Sequence, residues 1–215
     1  MKTKPEMLPT RATDVLEPRT TALLLWDLQN GLGGQSPQLD QLSAVWRALY
    51  NAAAASGVLI VRSRHVAPRL DLMDEVTRWR ITRRTHGENR PEHYMQPGGV
   101  DTAWIPGWEP QTDELVIEKT APSLFHLTQA DARLRARGVR ALVLAGVATE
   151  QGIDFTSRHA LAHGYFTVVV EDGVGSYSAD AHEHGMALLR RATFVCPSTA
   201  IIGRWVGEPA AQAAG

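Results

Sequence analysis

One cysteine in 215 residues, Cys196, excludes an internal disulfide and any metal site built from several thiolates. Neither charge sign is in excess: 22 Lys and Arg stand against 23 Asp and Glu, a formal net charge of -1, with the two signs interspersed. The basic footprint that nucleic acid or an anionic membrane requires is therefore missing, and small neutral or weakly charged ligands remain. No apolar run approaches the roughly 18 residues of a membrane span. Met1-Lys2-Thr3-Lys4-Pro5 is not followed by an apolar signal region, so the expected location is the cytoplasm. Gly-x-Ser-x-Gly, the mark of an α/β-hydrolase serine nucleophile, is absent. So is a dinucleotide loop, since three residues, Leu28-Gln29-Asn30, separate Gly31-Leu32-Gly33-Gly34 from Asp27, and Ser36 stands where a third glycine belongs.

What is present is an alternation of short β-rich apolar runs with helical patterns, the signature of βαβ units around a parallel sheet. Strands are expected at about 21–26, 58–62, 114–118, 141–146, 167–171 and 193–196. These runs are nearly continuous in Val, Leu and Ile, as in strands covered on both faces. A helix is expected from about Leu39 to Ser56, with Leu42, Val45, Trp46 and Leu49 at helical spacing and Gly57 placed to stop it. Further helices are expected over Asp131 to Arg137, Glu150 to His163 and Ala179 to Arg191, the last with Ser178 or Asp180 as cap. The fold class is α/β, a three-layer α/β/α sandwich. One domain over residues 20–207 is expected, with 1–19 and 208–215 as flexible ends. Residues 64–113, Arg-rich with three tryptophans, read as a long crossover with a short helix near 71–80.

Three strand ends carry chemistry. Thr21 to Trp26 runs into Asp27-Leu28-Gln29-Asn30, Leu115 to Glu118 into Lys119, and Ala141 to Ala145 into a turn, Gly146-Val147-Ala148-Thr149-Glu150-Gln151-Gly152, that opens a helix. Ligands of open parallel sheets bind outside the carboxyl ends of the strands, where the strand order reverses. Burial disfavours a carboxylate's charge and a neighbouring ammonium favours it, so Lys119 close to Asp27 would set whether Asp27 works as acid or base. The alternative is plain: Asp27 caps a turn and Lys119 is an ordinary strand-end cation.

Over roughly Thr20 to Arg204 these features resemble the isochorismatase-like (cysteine hydrolase) superfamily, most specifically in Gly146-Val147-Ala148-Thr149-Glu150 and the helix after it. The resemblance implies a six-stranded, mostly parallel sheet in the order 3-2-1-4-5-6 and a cis peptide between Val147 and Ala148. It also implies Ala148 and Gly152 N–H groups aimed into a pocket, and a homodimer or homotetramer. In cysteine hydrolases the residue at position 152 is the attacking thiolate, whereas here it is glycine. Cys196 lies in the last strand run and reads as a small buried apolar residue.

Isochorismatases also resemble this chain in carrying glycine there. Their vinyl ether hydrolysis needs an acid and a water and no covalent nucleophile. On that pattern Asp27 is the general acid or base, Lys119 tunes it and Gly152 leaves room for substrate. Thr120 to Phe125 lacks the Arg and Tyr that isochorismatases carry after their Lys, so a different small cyclic or carboxylated metabolite is expected. Gln29, Phe125, Val147, Ala148, Thr149 and Gln151 are the candidate substrate contacts, while Glu150 reads as a polar first-turn residue. Trp79, Trp104 and Trp108 could wall a ring but read equally as crossover packing. Arg83, Arg84 and Arg90 read as a solvated basic loop. No cofactor or metal is expected: Ser63-Arg64-His65 lacks the Asp and second His of the nicotinamidase metal motif, and His182 and His184 do not share a helix face. Two other functions stay open, a water-dependent small-amide hydrolase and a catalytically silent member binding a metabolite or a protein.

Overall fold

Apolar β-branched runs bury both faces of a strand, and six such runs form the sheet of this protein. A computed structural model describes residues 8–84 and 91–207. β1 (Thr21–Trp26) lies at the centre, with β2 (Leu59–His65) and β3 (Leu115–Lys119) on one side and β4 (Ala141–Val147), β5 (Phe166–Gly175) and β6 (Phe194–Cys196) on the other. The order is 3-2-1-4-5-6, and every pairing is parallel. β1 and β4 come close at Gly146, whose φ is +135 and where a Cβ would lie 2.7 Å from the Trp26 Cβ. Only glycine tolerates both conditions. β5 runs past its expected end because the register slips between Leu144 and Gly146 and pairing resumes with Val174 and Gly175.

Alternate residues of β1 feed opposite cores, as the period of two demands. Leu23 and Leu25 pack with Leu42, Trp46 and Leu49 of α1 (Leu39–Ser56). Ala22, Leu24 and Trp26 pack on the other face with α3 (Ala130–Arg135), α4 (Asp154–Ala162) and α5 (Ala179–Ala192) through Leu134, Ala160 and Leu189. Gly57 ends α1 in the left-handed conformation with φ +70, and the Ser178 side chain caps α5 by accepting from the Ala181 N–H. Truncating one such buried leucine to alanine costs about 2–5 kcal/mol.

Two expectations need correction, and one helix stands outside the expected set. Residues 8–19 do not hang free: Ala12, Val15 and Leu16 are buried in the α1 core, and two short 3-10 turns, Ala12–Val15 and Pro18–Thr20, lead into β1. Too few apolar residues for a periodic signal still suffice to dock a segment this short. A further helix, α6 (Ser198–Val206), buries Ile201 and Trp205 in the same core, following Pro197 and ending at Gly207. The short crossover helix, α2 (Glu75–Arg84), lies a turn later than 71–80, after a 3-10 turn at Leu70–Leu72. Residues 1–7 and the tail 208–215, expected to be flexible, lie outside the described residues. Among the described residues no helix is long and apolar enough to cross a membrane.

Candidate active site

The carboxyl ends of β1, β3 and β4 meet around a cavity of about 490 Å³ on the α4 side of the sheet. The topology makes this unavoidable: the chain leaves β1 toward β2 and later returns to β1's other edge as β4, so the strand ends there splay apart. Asp27, Lys119, Val147, Ala148, Gln151 and Gly152 all line the cavity.

Asp27 follows β1 with φ +52, an uncommon conformation for a residue with a side chain, and is 5% exposed. Its backbone is held by the Gln29 and Gly33 N–H groups, which donate to its carbonyl at 2.8 and 3.1 Å. Its carboxylate is held from two sides. Lys119 Nζ donates to Oδ2 at 2.8 Å, and the Ser63 hydroxyl donates to Oδ1 at 2.6 Å. The Lys119 and Asp27 side chains are only 2% and 7% exposed, so the pair is a buried ion pair. Such a pair is costly to desolvate and is retained only where its geometry is well satisfied. Lys119 Nζ also stands 4.3 Å from the centroid of the Trp26 ring, within cation–π range. His65, the last residue of β2 and the register partner of Lys119, completes the floor, and its ring lies 6.0 Å from that of Tyr94.

The turn after β4 is a single wide π-type turn, Thr149–Ile153, that feeds α4, and the Val147–Ala148 peptide is cis. Insertions of this kind into helices concentrate at functional sites. No side chain rises from Gly152. Cys196 does not line the cavity; it sits at the end of β6, and burial, with Asp172 and Glu171 nearby, pushes its thiol up to about 11.

Three candidate contacts belong elsewhere. Gln29 is fully buried beneath the site: its Nε2 donates to the carbonyls of His65 and Thr102 at 2.9 Å each, and its Oε1 accepts from the His65 N–H at 2.6 Å. Its amide stands in for a strand and ties the crossover to the sheet. Thr149 is buried as well, donating to the Gly175 carbonyl at 2.9 Å and lying 2.8 Å from His182 Nδ1. Phe125 points away from the cavity and stacks 4.8 Å from His163 and 5.8 Å from Tyr165. None of Trp79, Trp104 and Trp108 reaches the cavity; Trp108 packs edge-on against Trp46 in the α1 core, whereas Trp79 is exposed. Glu150 does not line it either.

The crossover does contribute, through residues that the sequence pattern did not single out. Arg80, Ile81 and Tyr94 wall the cavity together with Leu32, and Phe155 of α4 stands exposed at its edge. Arg83, expected in a solvated loop, is on this wall too. The Arg84 side chain and Arg90 lie outside the described residues. Neither Arg80 nor Arg83 forms a salt bridge among the described residues, so once Asp27 and Lys119 offset each other the wall is left with two guanidinium charges. Among the described residues no group of three or more His, Cys, Asp or Glu is arranged to hold a metal ion.

The chain belongs to the isochorismatase family and is an isochorismatase-like hydrolase: residues 21–201 match the family's Isochorismatase domain. It is 36% identical over 107 residues to the ureidoacrylate amidohydrolase RutB of Variovorax paradoxus, a match covering 48% of this chain and 40% of that protein. With the RutB of Methylobacterium radiotolerans it shares 27% over 226 residues, covering 95% of this chain and 83% of the relative. The crystal structure of a cysteine hydrolase from Pseudomonas syringae pv. phaseolicola superposes with a TM-score of 0.77 at 19% identity, over 97% of this chain and 100% of that one, which is a likeness of fold.

Proposed function

We propose that the cavity hydrolyses a small carboxylated metabolite by acid–base chemistry at Asp27, with water and not a side chain as the nucleophile. The observation that carries this reading is the buried Asp27–Lys119 pair on the floor of a cavity with no thiol in its wall. Asp27 lines the cavity, and Ser63 and Lys119 fix the orientation of its carboxylate, the placement that a proton carrier needs. Water then adds to an amide carbonyl, Lys119 and the backbone around Ala148 steady the oxyanion, and Asp27 returns the proton to the departing amine as the C–N bond breaks. The relatives named ureidoacrylate amidohydrolase favour an amide as the bond.

A second reading, vinyl ether hydrolysis, is supported by the glycine at position 152. Asp27 in its protonated form would give its proton to the alkene carbon, water would add to the resulting oxocarbenium ion, and the hemiacetal would collapse to a carbonyl and an alcohol. In both cases Arg80 and Arg83 supply the charge that a substrate carboxylate would meet at the wall. Intact-protein mass spectrometry during turnover of ureidoacrylate and of a vinyl ether carboxylate tests the absence of a covalent step. Product should form with no mass added to the protein, and a substrate-derived adduct trapped on the chain would overturn the proposal.

A further inference from the structure

Trp26 is the last residue of β1, is 1% exposed and lines the cavity beside Asp27. Being in phase with Ala22 and Leu24, it points to the α4 side of the sheet, directly at the turn that carries Gly152. A Cβ built on Gly152 would fall 2.5 Å from Cζ2 of the indole and closer still to Nε1 and Cε2. The indole edge thus occupies the volume that any side chain at position 152 would need. The Nε1–H on that edge has no acceptor among the described residues. Trp26 lines the cavity, and its N–H is not among the polar atoms sealed in the core without a partner, as that of Trp205 is, so it is open to whatever fills the cavity, whereas the Trp46 N–H is taken up by the Gly173 carbonyl at 2.7 Å.

We propose that Trp26 is a substrate-binding residue: its indole N–H donates a hydrogen bond to an oxygen of the bound substrate, and Gly152 is glycine because the indole takes its side-chain space. The inference rests on the cavity being the hydrolytic site. Lys119 Nζ over the ring face and the N–H at the ring edge then approach one substrate from two directions. A donor fixed by core packing discriminates well against substrates lacking an acceptor at that point, since binding them would leave the N–H unsatisfied.

Two experiments test it. The first is a ¹H–¹⁵N spectrum of the wild-type protein, with the Trp26 indole signal assigned by its loss in Trp26→Phe, titrated with ureidoacrylate and benzoate. The Trp26 indole signal should move downfield together with the Gly152 amide. Movement of the Gly152 amide with the indole signal unchanged overturns the proposal. If neither compound moves any cavity resonance, the carboxylate reading of the site fails instead, and the inference is decided by the second experiment. Gly152→Ala is made in the wild type and in Trp26→Leu, and thermal unfolding is followed. The alanine should cost a large drop in melting temperature, or folding itself, in the wild type and much less beside leucine. Equal drops in the two backgrounds would show that the indole does not hold that space and would overturn the pairing with Trp26.

Discussion

The hydroxyl of Ser63 is bonded to Asp27 twice, accepting from its backbone N–H at 2.9 Å and donating to its Oδ1 at 2.6 Å. A side chain on β2 thereby fixes both the unusual backbone and the carboxylate of the residue that ends β1. Ser63→Ala leaves a buried N–H unsatisfied, a loss worth about 1–3 kcal/mol. Urea unfolding should show that destabilisation, and turnover per folded molecule should fall because the carboxylate loses one of its two restraints.

Lys119→Ala removes one partner of a buried ion pair and strands the Asp27 charge. The expected loss of stability is about 3–5 kcal/mol. Asp27→Asn combined with Lys119→Met leaves no charge behind and should be markedly more stable than Lys119→Ala alone. Both proteins should be inactive, so a stability cycle with an activity assay separates the pair's structural cost from its chemical use.

Arg80→Ala and Arg83→Ala should raise KM for a carboxylated substrate with little change in kcat. A charged hydrogen bond is worth about 1.5–3 kcal/mol, so a rise of roughly tenfold or more is expected where the bond is made. The amide or ester analogue without the carboxylate should show no such change. Equal effects on both compounds would remove the arginines from substrate binding.

Cys196 should react slowly with iodoacetamide at neutral pH. Burial first, then the Asp172 and Glu171 carboxylates, hold the thiol up at about 11, so the thiolate fraction grows only as pH climbs toward that value. Alkylation rates measured by peptide mapping should therefore still be rising at pH 9, where an unperturbed thiol would be levelling off. Prior alkylation should leave turnover intact.

The strands and the stop of α1 at Gly57 were legible from local signals, an apolar run and a glycine after a periodic helix, whereas the meeting of Asp27, Lys119 and Gly152 followed from the strand order and site that the family resemblance implies, since no local signal says which strand ends adjoin. Gln29 was misplaced because a polar residue two positions past Asp27 looks available, and only the crossover's return shows its amide consumed by His65 and Thr102. Thr149 was misplaced for the same reason, its hydroxyl being used by Gly175 and the neighbouring His182. Arg80, Ile81 and Tyr94 could not be found, since a crossover of that length has no period to say which side faces the sheet. His65 and Ser63 were within reach: both lie toward the carboxyl end of β2, at the level of Lys119 and Asp27. The buried pair Arg62 and Glu114 was hidden inside strand-like text, where charged residues read as exposed.

The most direct test is turnover by mass spectrometry of ureidoacrylate, vinyl ether carboxylates and a metabolite extract, comparing wild type with Asp27→Asn. Asp27→Asn keeps the size of the side chain and removes the proton carrier. A compound consumed by the wild type and spared by a folded Asp27→Asn protein is the predicted result. Turnover that survives Asp27→Asn would contradict acid–base chemistry at this residue, and a wild type that consumes nothing while retaining a co-purified small molecule would make the cavity a binding site.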